Sequence, residues 1–186
     1  MIAHLHSLLL SSTGVCTDTR KLIKGNIYFA LKGPSFDGNK FALQAMQNGA
    51  LAAVVDDSSI KGENIYLVEN VLTTLQHLAT YHRQALKTPV IGLTGSNGKT
   101  TTKELISRVL GSSYNVLFTE GNLNNHIGVP LTLLRLNSEH QIAVIEMGAN
   151  HQGEIQELSK IALPNFGLIT NIGKAHLEGF GGIDGV

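Results

Sequence analysis

The stretch VIGLTGSNGKTTTKEL, residues 90–105, constrains the fold more tightly than any other part of this chain. An apolar run of strand length (VIGLT, 90–94) meets a glycine-containing loop, and Thr101 to Leu110 are then spaced as a helix. Strand, glycine loop and helix in that order form the context in which a loop can hold phosphate. Gly92, Gly95 and Gly98 permit tight backbone angles and close approach of an anion. Successive N–H groups and the helix N-terminus then face it. In such a loop Lys99 would contact the outer phosphates of a nucleotide, and the Thr100 hydroxyl would ligate Mg²⁺. The interval from Gly92 to Gly98 is one residue longer than the general phosphate-loop pattern requires. The plain alternative is a glycine-rich turn carrying an incidental lysine.

The same alternation runs through the rest of the chain. Strands are predicted over 26–31, 51–55 and 65–68, with helices over 40–48 and 71–85 ending near Lys87-Thr88-Pro89. Beyond Pro89, strands at 90–94, 116–118, 142–147 and 166–170 alternate with helices over 101–110, 129–136 and 153–162. Such an order predicts an α/β fold with right-handed crossovers and parallel sheets. The wholly apolar strands suit sheets covered on both faces. Two domains are expected: a small α/β substrate domain over 1–86 and a parallel-sheet phosphate-loop domain over 87–186. The second ends soon after a strand, in GGIDGV, and reads as truncated.

Composition narrows the function classes. Fourteen basic residues balance fourteen acidic ones, so no general attraction to nucleic acid or to an anionic membrane is expected. Cys16 is the only cysteine, which excludes an internal disulfide. The opening MIAHLHSLLLSS lacks a basic start and a long apolar run, and no stretch approaches the roughly 20 apolar residues that cross a bilayer. The expectation is a soluble cytoplasmic protein.

Three further segments carry polar groups of possible use. Glu146 closes the predicted strand IAVIEM, and ligands of open α/β sheets gather at such strand ends. A carboxylate there can hold Mg²⁺ together with Thr100 and phosphate oxygens, or it can simply cap the next helix. GNLNNHIGVPLTLL (121–134) is a polar turn whose asparagines can present amide groups to a ligand or cap the helix that follows. His176 follows the strand FGLIT in NIGKAHLEGFG (171–181).

TGSNGKTT resembles the ATP loop of the Mur ligases and of the related folylpolyglutamate synthases, which share the longer glycine interval. EMGANHQGEI (146–155) and GNLNNHIGVPLTLL are similar to the Mur subgroup that adds D-alanyl-D-alanine. TDTRKLIKGNIYFALKGPSFDGNKFALQAMQNGA (17–50) resembles the first domain of Mur ligases that bind UDP-muramoyl peptides. His126 stands where an acidic residue would be expected, and Asn39 where the family more often has histidine.

This resemblance implies cofactors and roles. ATP would be held by Gly95, Ser96, Asn97, Gly98, Lys99, Thr100 and Thr101. Mg²⁺ would be held by Thr100, Glu146 and His176, and Lys99, Asn124, Asn125 and His176 would form the catalytic set. Thr19, Arg20, Lys32 and Gly33 would meet the uridine and diphosphate, unless Arg20 is only a surface ion pair on a solvated turn. The implied reaction joins UDP-N-acetylmuramoyl-tripeptide to D-alanyl-D-alanine through an acyl phosphate. It belongs to peptidoglycan precursor synthesis, on which cell shape and division depend. A monomer is expected. A carbamylated lysine and a third domain used by the family lie outside these 186 residues, so the chain by itself is expected to be inactive. The rival readings are the ligase that adds the third amino acid and a nucleotide-binding module without turnover.

Overall fold

The computed structural model describes residues 1–174 and 176–185. Cα packing divides the chain into two units, Met1–Tyr81 and His82–Val186.

The first unit opens with α1 (Ile2–Ser11), whose buried residues Leu5 and Leu9 stand four apart on one face. Next come β1 (Val15–Cys16), a 3₁₀ turn (Thr19–Lys21), β2 (Ile27–Phe29), and the hairpin strands β3 (Lys32–Gly33) and β4 (Phe36–Asp37). A second 3₁₀ turn (Gly38–Phe41) leads into α2 (Ala42–Gln47), β5 (Ala52–Val55), β6 (Ile65–Leu67) and α3 (Val71–Leu86). β1, β2, β5 and β6 pair in that order, all parallel. β2 and β5 are buried along their whole length, so they read as unbroken apolar runs rather than alternating ones. α2 packs on β5, where Ala42 and Ala45 share one apolar cluster with Tyr28, Ala53 and Val55. The periodicity places a domain boundary after residue 86; the packing division falls earlier, inside α3.

The second unit contains β7 (Val90–Thr94), α4 (Lys99–Gly111), β8 (Val116–Phe118), α5 (Gly128–Leu133) and β9 (Ile142–Glu146). It continues with α6 (Glu154–Ala162), β10 (Phe166–Ile169), the short α7 (Leu177–Phe180) and a 3₁₀ turn (Ile183–Gly185). Its parallel sheet has the order β10-β7-β9-β8. From β7 the chain crosses by α4 to β8, on the far side of β9. From β9 it crosses by α6 in the opposite direction to β10. With right-handed crossovers these helices lie on opposite faces. The carboxyl ends of the adjacent strands β7 and β9 therefore flank the switch point of the sheet, where open α/β sheets leave a crevice.

One strand departs from expectation. β10 is apolar yet exposed along its length, with Phe166 at 65% and Ile169 at 59%. It is the edge strand, paired only to β7 among the described residues, so apolar sequence there does not report burial on both faces.

Asn39 holds the junction of the hairpin, α2 and β5. It is 2% exposed; its Nδ2 donates to Asp37 Oδ1 (2.9 Å) and Asp56 Oδ1 (2.8 Å), and its Oδ1 accepts the Asp56 N–H (3.2 Å). Burial pushes the Asp56 carboxyl up, but donors from Lys32, Asn39 and Val71 outweigh it and hold it below its ordinary value. Stability from Asp56 is therefore complete above about pH 4 and is lost as pH falls through the lowered value. Asn39→Ala should destabilise the chain by about 2 kcal/mol at neutral pH, because it strips donors from two carboxylates. Urea unfolding followed by circular dichroism measures this, and an unchanged midpoint would show that the network contributes nothing.

Candidate functional site

The loop after β7 is shaped by two glycines. Gly95 adopts φ 136, and a Cβ there would collide with the Thr170 hydroxyl and lie 3.0 Å from the Asn171 carbonyl. Gly98, the N-cap of α4, has φ 76 and ψ 4, a left-handed conformation that glycine adopts without steric cost. The N–H groups of the first turn of α4, including those of Lys99, Thr100 and Thr101, have no intrahelical acceptor and lie at the positive end of the helix dipole. Lys99 is half-buried and folds back, its Nζ donating to Gly95 O (2.7 Å) and Ser96 O (3.3 Å).

Not every loop amide turns outward, as a simple phosphate cradle would have it. Ser96 N–H donates to Asn171 O (3.0 Å) and Asn97 N–H to Asn171 Oδ1 (2.9 Å). The Gly98 amide, one residue before the helix, has no such engagement among the described residues.

Glu146, at the carboxyl end of β9, is 1% exposed. Its Oε1 accepts Asn124 Nδ2 (2.8 Å) and the Thr100 hydroxyl (3.3 Å), while its N–H donates to Thr119 Oγ1 (2.9 Å). Its Oε2 is buried without a hydrogen-bond partner among the described residues. A buried, unpartnered carboxylate oxygen beside a threonine hydroxyl suits a hard cation that takes oxygen ligands. No three His, Cys, Asp or Glu side chains converge among the described residues. Such an ion would thus draw most of its remaining ligands from phosphate and water.

Two residues that the motifs do not announce support Glu146. Thr119, fully buried, receives the Glu146 amide through its hydroxyl, and its carbonyl accepts Lys103 Nζ at 2.6 Å. Lys103 is also fully buried, 2.8 Å from Glu104 Oε1 and 5.7 Å from the centre of the Phe118 ring. The inward face of α4 is thus marked by Lys103 and Ser107, polar residues that sequence periodicity assigns to solvent.

Lys99, Asn124, Asn125 and His176 line one cavity of about 330 Å³ with His126 and Asn150. Thr100 and Glu146 do not line it; Asn124 links it to Glu146. His176 is exposed in a left-handed conformation (φ 52), and it also lines an apolar cavity of about 240 Å³ with Lys99, Ile172 and Phe180. Asn124 has its amide on Glu146, whereas Asn125 caps α5 by accepting the N–H groups of Ile127 (3.1 Å) and Gly128 (2.9 Å).

In the first unit the four ligand candidates sit on two features. Thr19 and Arg20 belong to the 3₁₀ turn capped by Asp18, and Lys32 and Gly33 to the hairpin strand β3. Arg20, 86% exposed, forks onto Asp18 with Nη2 at 2.7 Å. The Arg20 hydrogen bonds draw the Asp18 carboxyl down to about 2, and Asp18 in turn raises the guanidinium. Lys32 Nζ lies 2.8 Å from Asp56 Oδ1, a bond that raises the lysine above its ordinary value.

Sequence comparison matches residues 93–186 to the Mur ligase middle domain and residues 11–87 to the catalytic domain of the Mur ligase family. The chain belongs to the Mur ligase family. Among Mur ligases it is 50% identical over 177 residues to the UDP-N-acetylmuramoyl-tripeptide–D-alanyl-D-alanine ligase of Bacillus subtilis, covering 93% of this chain and 38% of that protein. The Escherichia coli ligase of the same name is 46% identical over 172 residues, with 92% and 38% covered. The crystal structure of MurF from Acinetobacter baumannii aligns with TM-score 0.86 at 42% identity, over 96% of this chain and 43% of that one. The Thermotoga maritima MurF ligase, solved in complex with ADP, aligns with TM-score 0.86 at 37% identity, over 95% and 41%. The chain thus spans about two fifths of the length of these Mur ligases.

The Glu146 support can be probed by an isosteric change. Thr119→Val leaves the buried Glu146 N–H without its acceptor and should lower stability by about 2 kcal/mol. Denaturant unfolding of the variant measures this; a loss below about 0.5 kcal/mol, the usual range of surface substitutions, would mean that another acceptor takes over.

Proposed function

We propose that this chain supplies the phosphate-loop and UDP-substrate parts of a ligase that joins UDP-N-acetylmuramoyl-tripeptide to D-alanyl-D-alanine at the cost of ATP. It would act in the cytoplasm, as a monomer, in peptidoglycan precursor synthesis. The observation that carries the reading is the arrangement at the switch point. A glycine loop with Lys99, the free first-turn amides of α4 and the buried Glu146, bonded to the exposed Thr100, meet there. Relatives up to 50% identical that bear this ligase name support the choice within the family. The ligase that adds diaminopimelate to the dipeptide precursor shares only the fold, at 20% identity and TM-score 0.55.

In this reading the tripeptide carboxylate takes the terminal phosphoryl group of ATP, and the amine of D-alanyl-D-alanine displaces phosphate to give the amide. Lys99 leaves the neutral carbonyls of Gly95 and Ser96 for the outer phosphates, since a charge-assisted contact is the stronger one. The amides of Gly98, Lys99 and Thr100 follow the anion, with Thr101 closing the turn. Ser96 and Asn97 contribute backbone shape, their amides being engaged with Asn171. Mg²⁺, which Thr100, Glu146 and His176 would hold, would neutralise charge on the transferred phosphoryl group. Asn124 keeps the Glu146 carboxylate oriented, and Asn125 holds the loop that brings Asn124 there. Thr19, Arg20, Lys32 and Gly33 receive the uridine diphosphate once its phosphates displace the carboxylates of Asp18 and Asp56.

Two measurements test this. Calorimetry with ATP should show affinity that requires Mg²⁺ and falls at least about tenfold in Lys99→Ala; equal affinity in the variant removes the phosphate-loop assignment. Titration with UDP-N-acetylmuramoyl-tripeptide, followed by NMR, should shift the amides of Thr19, Arg20, Lys32 and Gly33. No D-alanyl-D-alanine-dependent ADP release should accompany it, because near-attack positioning of the amine needs more than the residues described. Shifts confined to residues beyond Pro89 would sink the substrate assignment, and steady turnover would show that these 186 residues already hold the full catalytic apparatus.

A further inference from the structure

We propose that Thr170, Asn171 and Gly173, the segment directly after β10, form a clamp that sets the shape of the phosphate loop and reserves its later amides for the anion. Five hydrogen bonds define it. Ser96 N–H and Asn97 N–H donate to the main-chain and side-chain oxygens of Asn171 at 3.0 and 2.9 Å. The Thr170 hydroxyl donates to Asn97 O at 2.6 Å. The Ser96 hydroxyl accepts Gly173 N–H (2.9 Å) and donates to Gly173 O (3.0 Å). The Ser96 and Asn97 amides, the Asn97 carbonyl and the Ser96 hydroxyl are thereby met by one short segment. Independently, the two backbones approach so closely that a Cβ at position 95 would strike Thr170 and Asn171.

The physical consequence is selection among the loop amides. Without the clamp, the N–H groups of Ser96 and Asn97 could rotate toward the crevice, and the loop would have several curvatures of similar energy. With it, the N–H groups of Ser96 and Asn97 are withdrawn, while those from Gly98 onward remain for an anion at the start of α4. Asn171 is a positioning residue: it touches the loop and needs no contact with the nucleotide. The same segment runs on to His176, so the curvature of the loop and the start of the histidine-bearing stretch are fixed by one set of bonds. The clamp stands on the geometry alone; its effect on nucleotide affinity rests on the phosphate-loop reading.

Hydrogen exchange by NMR on the whole chain, with and without ADP and Mg²⁺, tests both parts. In Asn171→Leu, protection of the Asn97 amide should fall about fivefold while that of Met147, bonded to Leu93 O, stays constant. ADP affinity should weaken by a similar factor. Asn171→Asp, which keeps an acceptor oxygen, should restore Asn97 protection, a recovery that a loss of general packing would not show. Should Asn171→Leu misfold, Thr170→Val removes the bond to Asn97 O and should loosen the same loop. An Asn97 amide that exchanges equally fast in the native chain and the variants overturns the clamp. Lost protection with unchanged ADP affinity overturns its positioning role. Absence of ADP binding by the native chain instead overturns the phosphate-loop reading, leaving the exchange result to decide the clamp.

Discussion

The opposed crossovers of β7 and β9 are the constraint on which the second unit depends. Because α4 leaves β7 toward β8 and α6 leaves β9 toward β10, neither connection roofs the space between the two strand ends. The loop from Gly95 to Gly98 and the carboxylate of Glu146 are placed there by chain direction alone. Side-chain chemistry then refines a position that topology has already set. Thr100 reaches Glu146 from the first turn of α4, and Asn124 reaches it from the loop before α5. Two separate connections thus meet on one carboxylate.

That carboxylate is expensive to bury, and its surroundings show how the cost is met. An ionised group removed from water needs hydrogen bonds or an opposite charge to remain charged. Glu146 Oε1 has two donors, but Oε2 has none among the described residues. Lys103 lies one link further back, its ammonium on Thr119 O, and the Thr119 hydroxyl takes the Glu146 amide. A buried cation therefore tightens the strand end rather than pairing with the acid itself. The arrangement leaves one oxygen of the acid with its demand unmet among the described residues. A site with that deficit gains more from a divalent ion than a site already satisfied by an arginine or lysine.

Most of this architecture was legible because it follows from local rules. VIGLT and IAVIEM are apolar without alternation, and the centre of the sheet largely buries them; Gly95 and Gly98 read as a loop because their backbone angles demand glycine. What escaped depends on tertiary position. The helix Ile2–Ser11 exposes much of its surface and gives only Leu5 and Leu9 to the core, too sparse a pattern to announce itself. Phe166 and Ile169 look like core residues, yet they lie on an edge strand. Lys103 reads as a solvated lysine until β8 is seen to end beside it. Thr170 and Asn171 carry no motif that points to residues 96 and 97, more than seventy positions earlier; only the parallel pairing of β10 with β7 brings them together.

A last feature unites both units: the cations assigned to ligands are all occupied in this structure. Lys99 rests on two carbonyls, Arg20 on Asp18 and Lys32 on Asp56. The three cases differ in what a phosphate must displace. Lys99 gives up neutral acceptors, so an anion wins on charge alone. Arg20 and Asp18 form an exposed pair that water and salt already weaken, so little opposes its exchange for a diphosphate. Lys32 is harder to release, because Asp56 is only 12% exposed and would keep just the Asn39 and Val71 donors after the lysine leaves. Loss of Lys32 from Asp56 would raise that carboxyl toward protonation, and a proton taken up there would offset the charge that the lysine carries to the ligand. On the proposed reading, binding at β3 would thereby be coupled to the Asn39 network, whereas binding at the phosphate loop would not.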